Sequence, residues 1–346
     1  MNRSVFARFG EVGHSSLLLT ASMNRRIFIP LSTVLLGGAA LSAEMLRGRP
    51  ARIGLLAYGS PVPIASELLA FQRRLRELGW IEGQTATVDY RWAEGNPDRL
   101  PALLMELVES KVDVMMLSGS SALLAAHRAT KTIPVVFVVL VDPVALGVVA
   151  SLARPGGNLT GLASQFEEII TKQLELLKEA VPGLSRVGIL NQSAVGPGTL
   201  KAAESAARGL GLATRTLTVT TSSDFEDAFK AALSDRAGAI HVLPSPYFNA
   251  QRGLLIELAA RYRLPAFYEF RNYVRDGGLI SYGPSIDEMF GRAANYVDRI
   301  LKGAEPGRLP VERPSKFELV INLKTAATLG RSIPQSLLQR ADELIE

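Results

Sequence analysis

Cysteine is missing from the whole 346-residue chain. Its absence excludes disulfides, thiolate catalysis, cysteine-ligated metals and a lipid-modified N-terminal cysteine. The three histidines, His14, His127 and His241, are not spaced like metal ligands, so no metal site is expected. No Gly-x-Ser-x-Gly motif, dinucleotide fingerprint or phosphate-binding loop occurs. The sequence therefore predicts that the protein is not an enzyme and binds no cofactor.

Strong net charge is lacking as well. The formal charge is +5, but the first 43 residues hold four arginines and one glutamate, which leaves 34 basic and 32 acidic residues in the remainder. Because no basic cluster is interleaved with aromatics, we expect no nucleic-acid partner. Hydrophobic residues make up 47% and charged residues 21% of the chain, which is typical of a globular protein. The length suffices for two lobes.

The N-terminus carries a pattern typical of export. Met23-Asn24-Arg25-Arg26 precedes an apolar run from Ile27 to Leu41, and small residues around Ala43 follow. This run is shorter than the roughly 20 residues that a membrane-spanning helix needs, so it predicts a cleavable signal peptide. We expect residues 1–43 to be a leader whose true start is Met23, and the mature protein to be periplasmic without a permanent membrane anchor. The general secretory route is favoured, with twin-arginine export as the alternative.

From Arg52 onward, β-branched apolar runs alternate with amphipathic helical segments, a pattern that indicates βαβ units and parallel sheets. Pro/Gly-rich segments near Gly156 and Pro284 divide the units into two groups. We therefore predict two Rossmann-like, doubly wound α/β lobes, lobe 1 from residues 52–158 and 284–346 and lobe 2 from residues 159–283. More than one chain crossing makes a multi-crossover hinge, and ligand would bind in the cleft.

Ligands of open α/β sheets bind at the carboxyl ends of the strands, and polar residues follow several predicted strands of lobe 1. A serine-rich loop leads into a helix, whose N-terminus favours an anion such as a ligand carboxylate. Asp142 follows the next strand and would face a ligand cation. For the serines and for Asp142, helix capping is the alternative role. The lobe 1 candidates are Tyr58, Ser60, Ser118, Ser120, Ser121 and Asp142.

Lobe 2 has aromatic residues in the corresponding loops. Each ring supplies flat apolar contact area with a polar tip, which suits a ligand wall, although lobe packing is the alternative for each one. The lobe 2 candidates are Asn191, Tyr247, Tyr268 and Tyr282. Together these residues favour an amino acid or related carboxylate, with a neutral sugar-like ligand as the alternative.

Five segments of the sequence resemble a known family. They are YRWAEGNPDRL at 90–100, ATKTIPVVF at 129–137, SLARPGGNLTG at 151–161, GGLISYG at 277–283 and KFELVINLK at 316–324. They are similar to the ABC transporter substrate-binding family that includes tryptophan-binding lipoproteins, and the resemblance spans about Arg52 to Glu346.

The resemblance implies the type I periplasmic binding protein fold, no cofactor, a small-molecule ligand, and an ABC permease and ATPase as partners. The chain departs from the lipoprotein members because it lacks the acylated cysteine, so we expect it to be free in the periplasm. A periplasmic sensor that feeds a membrane receptor is the alternative function.

Overall fold

The computed structural model describes residues 49–61, 64–164, 167–193 and 197–346. The predicted signal peptide, its cleavage site near Ala43 and the start at Met23 lie outside these residues. Within the described ranges, none of the helices combines the length and the hydrophobicity that a bilayer crossing requires.

The first sheet has five strands, all parallel, in the order β2-β1-β3-β4-β5. Most of their residues are buried because helices cover both faces, which explains the continuous apolar runs in the sequence. The strands are β1 (Ala51–Ala57), β2 (Ala86–Trp92), β3 (Val114–Ser118), β4 (Val135–Val139) and β5 (Leu159–Ala163). The helices between them are α1 (Ala65–Glu77), α2 (Leu100–Glu109) and α3 (Ser120–Ala129).

The second sheet has seven strands: β6 (Arg186–Gln192), β7 (Ala213–Val219), β8 (Ala239–Val242), β9 (Ala266–Tyr268), β10 (Ile280–Pro284), β11 (Phe317–Asn322) and β12 (Glu343–Ile345). Their spatial order is β12-β11-β10-β9-β8-β6-β7, and only β10 and β11 pair antiparallel. The remaining helices are α4 (Glu167–Ala180), α5 (Pro197–Gly209), α6 (Asp224–Ser234), α7 (Pro246–Ala250), α8 (Arg252–Arg261), α9 (Arg271–Arg275), α10 (Ile286–Leu301), α11 (Leu323–Thr328) and α12 (Gln335–Leu338).

Helix α10 packs on the first sheet although the strand before it belongs to the second. Its Phe290 and Val297 share a buried cluster with Phe71 of α1 and Ile53 of β1. We therefore use lobe 1 for the five-stranded sheet with α1 to α3 and α10. Lobe 2 is the seven-stranded sheet with the other helices. The parallel α/β sheets and the several crossings agree with the predicted fold class.

Two strands lie outside the lobe in which the predicted lobe bounds place their residues. Leu159–Ala163 was assigned to lobe 2, but it pairs with β4 in lobe 1. Phe317–Asn322 was expected to return to lobe 1, but it pairs with β10 in lobe 2. Leu319 of this strand packs in one buried cluster with Ile280 of β10. Either sheet would have buried such an apolar strand, so its sequence does not determine which sheet it joins.

In the described residues the chain passes between the lobes after β5, after β10 and before β11. The second and third crossings run side by side, and the Ser285 N–H donates to the Lys316 carbonyl at 3.1 Å. Beside them, the Arg271 guanidinium of lobe 2 pairs with Asp287 at the start of α10. Its Nη1 also lies 3.4 Å from Glu318 Oε1. The two crossings are therefore tied to one another by backbone and by charge.

Candidate ligand-binding site

The carboxyl edge of the lobe 1 sheet presents the uncapped start of a helix. Gly119 occupies the N-cap position of α3, and no side chain caps the helix there. The first turn closes where the Leu123 N–H donates to the Gly119 carbonyl at 3.1 Å. The N–H groups of Ser120 and Ser121 therefore precede the first intrahelical bond, where a helix can bind an anion. Serine N-capping, the alternative role for this segment, does not occur.

Gly119 has φ of 101°, a conformation that residues with a Cβ rarely adopt. A Cβ on this residue would lie 3.3 Å from the Cβ of Tyr58, the residue that follows β1. Glycine thus lets the β1 and β3 loops approach each other. Ser118 ends β3 beside Ala57 of β1, and Ser60 is half-buried in the β1 loop. These predicted residues share the lobe 1 edge.

Two predicted tyrosines lie near one another on opposite lobes. The Tyr58 hydroxyl donates to the Gly95 carbonyl at 2.7 Å. Burial raises the pKa of the Tyr58 hydroxyl, and the nearby Tyr247 of lobe 2 raises this pKa further. Tyr247 lies in α7, half-buried and stacked on Phe225 with ring centroids 6.1 Å apart. The two hydroxyls are therefore close enough to influence one another across the lobes.

The Ser245 side chain fixes the start of α7. Its hydroxyl accepts hydrogen bonds from the N–H groups of Tyr247 at 3.1 Å and Phe248 at 3.3 Å. The same hydroxyl donates to Gln192 at the end of β6. Two neighbouring strand ends of lobe 2 are thereby joined, and Tyr247 is held at the carboxyl edge.

Three predicted residues have other surroundings than expected. Tyr268 is 1% exposed and stacks on Tyr273 with centroids 4.7 Å apart, so it belongs to the core beneath the edge. Tyr282 stacks on Phe317 with centroids 5.9 Å apart. Asp142 begins a turn rather than the predicted helix. Its Oδ1 accepts from the Val144 N–H at 2.8 Å.

The lobe 2 edge also holds buried polar atoms without partners. In the part of the chain that the structure describes, no donor reaches Oδ1 of Asn191, Oε1 of Glu269, Oδ1 of Asn272 or Oγ of Ser281. Only Asn191 among these was a predicted site residue. Glu269 directly follows β9, and an acidic residue next to a buried strand end was the sequence signal that could have revealed it.

A second acid, Glu67 in the first turn of α1, is buried at 6% exposure. Burial raises the pKa of the Glu67 carboxyl, whereas hydrogen bonds from its own backbone N–H and from Ser66 lower it. Smaller effects come from Asp287, which raises this pKa, and from Arg252, which lowers it. Because Arg252 belongs to lobe 2, the Glu67 side chain lies near the other lobe. Glu67 is not one of the predicted site residues.

His241 is a core residue of β8, as its apolar strand predicts. Its Nε2 lies 2.8 Å from Gln173 Oε1 of α4, and the Gln173 amide donates to the Tyr282 carbonyl at 2.6 Å. Burial lowers the pKa of His241 to about 3, so the ring is neutral and Nε2–H is the donor. Across the described ranges, no group of three His, Asp or Glu side chains could hold a metal ion.

The sequence model of the family described as ABC transporter substrate binding protein matches residues 66–345. The chain belongs to this family. Its members are solute-binding proteins and not enzymes, as the sequence predicted. The tyrosine-binding protein of Clostridioides difficile is 26% identical over 264 residues, which cover 75% of this chain and 75% of that protein.

Solved structures support the fold of this substrate-binding protein. A conserved domain protein from Vibrio cholerae aligns with a TM-score of 0.79 at 28% identity, covering 86% of this chain and all of the other. An ABC domain in complex with L-Trp from Streptococcus pneumoniae has the same TM-score and coverage at 24% identity. The type I periplasmic binding fold is confirmed.

Proposed function

We propose that this substrate-binding protein captures an amino acid or a related small carboxylate between its lobes and delivers it to an ABC importer outside the cytoplasmic membrane. The supporting observation is the chemical complementarity of the two sheet edges. Lobe 1 offers the uncapped N-terminus of α3 between Ser118 and Ser121, and lobe 2 offers buried acceptor oxygens. A zwitterion carries a carboxylate for the first edge and an ammonium group for the second.

The amino-acid class is also supported by relatives. The Clostridioides difficile relative is a tyrosine-binding protein, and Tyr58 and Tyr247 would supply aromatic contact area for a ligand side chain. The location is supported by the apolar run Ile27 to Leu41 after Arg25-Arg26, which is typical of a signal peptide. An ABC permease and ATPase are the proposed partners.

Mass spectrometry of the small molecules that co-purify with the exported protein tests the ligand class. We expect an amino acid or a small carboxylate that rebinds to the emptied protein in isothermal titration calorimetry. A neutral sugar that co-purifies and rebinds, with no binding of any amino acid, would contradict the proposal. N-terminal sequencing of the exported chain tests the location, and a mature chain that begins before Ile27 would oppose it.

A further inference from the structure

Glu269 is held in a fixed position at the carboxyl edge of lobe 2. It is 4% exposed and directly follows β9, next to Gly283 of the neighbouring strand β10. A Cβ on Gly283 would lie 2.0 Å from the Glu269 carbonyl oxygen and 3.5 Å from its Cγ. Only glycine allows β10 to approach so closely, so the backbone and the start of the Glu269 side chain have little freedom.

No donor within the described residues reaches Oε1 of this buried carboxyl group. Glu269 lies near the Tyr273 hydroxyl and raises the pKa of that hydroxyl, as Tyr268 does, whereas Arg252 lowers it. Arg252 donates to Asp276 at 2.6 Å. Burial raises the pKa of Glu269 well above its ordinary value. Among the described residues, Glu269 therefore forms no ion pair with a cationic side chain.

Two further buried polar atoms of lobe 2 are acceptors too. Oδ1 of Asn272 follows three residues later, and Oδ1 of Asn191 lies at the end of β6 on the same edge; neither has a donor among the described residues. An ammonium group has three donors and no acceptor, so it satisfies such atoms without leaving one of its own unmatched. A ligand hydroxyl can supply one donor, but it brings no positive charge to balance the carboxylate that forms when this acid ionises.

We propose that Glu269 selects ligands that carry an ammonium group, so that this protein binds amino acids in preference to carboxylates without an amine and to neutral sugars. The proposal rests on the proposed function, because it names the ligand group that the same site requires. It assigns to Glu269 the cation-binding role that the sequence suggested for Asp142, which lies at a turn of lobe 1. Glu269 thereby becomes a specificity-determining residue.

Calorimetry with L-tyrosine, L-tryptophan and 3-(4-hydroxyphenyl)propanoate, which is tyrosine without its amine, tests the proposal. Wild type should bind at least one of the two amino acids and bind the deaminated analogue far more weakly. Glu269→Gln keeps the shape but removes the charge, and the loss of a buried charged hydrogen bond should weaken amino-acid binding about 30-fold or more. Binding of the deaminated analogue should change about three-fold or less, because that ligand never used the charge.

Glu204→Gln is the matched control, because Glu204 in the same lobe accepts a hydrogen bond from Thr216 on an edge strand at 2.7 Å. It should bind like wild type. If Glu269→Gln binds the amino acid within about three-fold of wild type, Glu269 does not select the ammonium group, and the proposed function is untouched. If wild type binds neither amino acid, the proposal that Glu269 selects an ammonium group is wrong. If wild type still binds the deaminated analogue, the proposed function remains supported as far as the ligand's carboxylate is concerned.

A folding defect in Glu269→Gln is detected by circular dichroism and thermal unfolding.

Discussion

The two lobes present opposite hydrogen-bonding groups at equivalent sheet edges. In lobe 1 the edge is formed by serines and by the start of α3, where Gly119 has no side chain to cap the helix, so backbone N–H groups dominate. In lobe 2 the edge is formed by strand ends whose buried oxygens, on Asn191 and Glu269, have no donor in the described ranges. The same α/β architecture thus yields a donor edge and an acceptor edge, depending on whether a helix start or a buried acid follows the strand.

The largest effect is expected from a matched pair of glycines. A Cβ on Gly161 of β5 would lie 2.1 Å from the Phe137 carbonyl oxygen, and one on Gly283 would lie 2.0 Å from the Glu269 carbonyl oxygen. Gly161→Ala and Gly283→Ala should each lower the free energy of unfolding by about 3 kcal/mol, because backbone strands must separate. Urea denaturation measures this.

Only Gly283→Ala should also weaken amino-acid binding, by about ten-fold or more, because it displaces Glu269. Calorimetry at a temperature where both variants are folded makes the comparison. If Gly161→Ala reduces the affinity as strongly, the lobe 2 edge has no special role in binding. Both lobes would then affect ligand affinity only through their rigidity.

Acid unfolding tests the buried groups of lobe 2. Because the folded-state pKa of His241 is lowered to about 3 from 6.5, the unfolded chain takes up a proton below pH 6.5 while the folded chain does not. Stability is therefore lost as the pH falls from 6.5 towards 3. His241→Gln removes this loss and should move the acid-unfolding midpoint down by about one pH unit, as measured by circular dichroism. An unchanged midpoint would show that other groups control acid unfolding.

Glu269 has the opposite dependence. Its folded-state pKa is raised above the ordinary value of 4.5, so the folded ligand-free chain retains a proton that the unfolded chain has lost. Stability decreases as the pH rises above 4.5. Glu269→Gln should therefore melt at a higher temperature than wild type at pH 7 to 8, and at a similar one near pH 4. Equal melting temperatures at all these pH values would contradict a raised pKa of Glu269.

The smallest effect is expected from Asp142→Asn, which applies the same change from acid to amide at the lobe 1 edge. Asn also caps turns, so the bond to the Val144 N–H is replaceable and stability should change by about 0.5 kcal/mol or less. The affinity for an amino acid should stay within about three-fold of wild type by calorimetry. A 30-fold loss would return the cation-binding role to Asp142.

The fold was predictable because buried parallel strands leave a strong apolar signal. Val135–Val139, for example, is a run of five apolar residues and forms a fully buried strand. β5 was missed because Leu159 and Thr160 follow a Pro/Gly-rich turn and precede a glycine, which resembles a linker. The sheet that β11 joins could not be predicted, since its apolar sequence would suit either lobe.

The candidate site was predictable where it depends on strand ends, and less so where it depends on side-chain direction. Tyr247 lies at the edge as expected. Tyr268 is the last residue of the three-residue strand β9, and its ring is directed into the core against Tyr273. A three-residue strand has too few positions for its alternation to reveal which side chain is buried. Glu269 stands between Tyr268 and Phe270, so the sequence around it indicates aromatic contacts and does not reveal that the acid is buried.

The paired crossings between the lobes have a consequence for the continuity of the chain. A single cut near Ser285 would leave β1 to β10 on one fragment, and the other fragment would begin at α10. That second fragment inserts Phe290 into the core of lobe 1 and Leu319 into the core of lobe 2. The two fragments would therefore hold both lobes together without a covalent link at that crossing. Co-expression of residues 44–285 and 286–346 as separate chains should reconstitute the protein by fragment complementation.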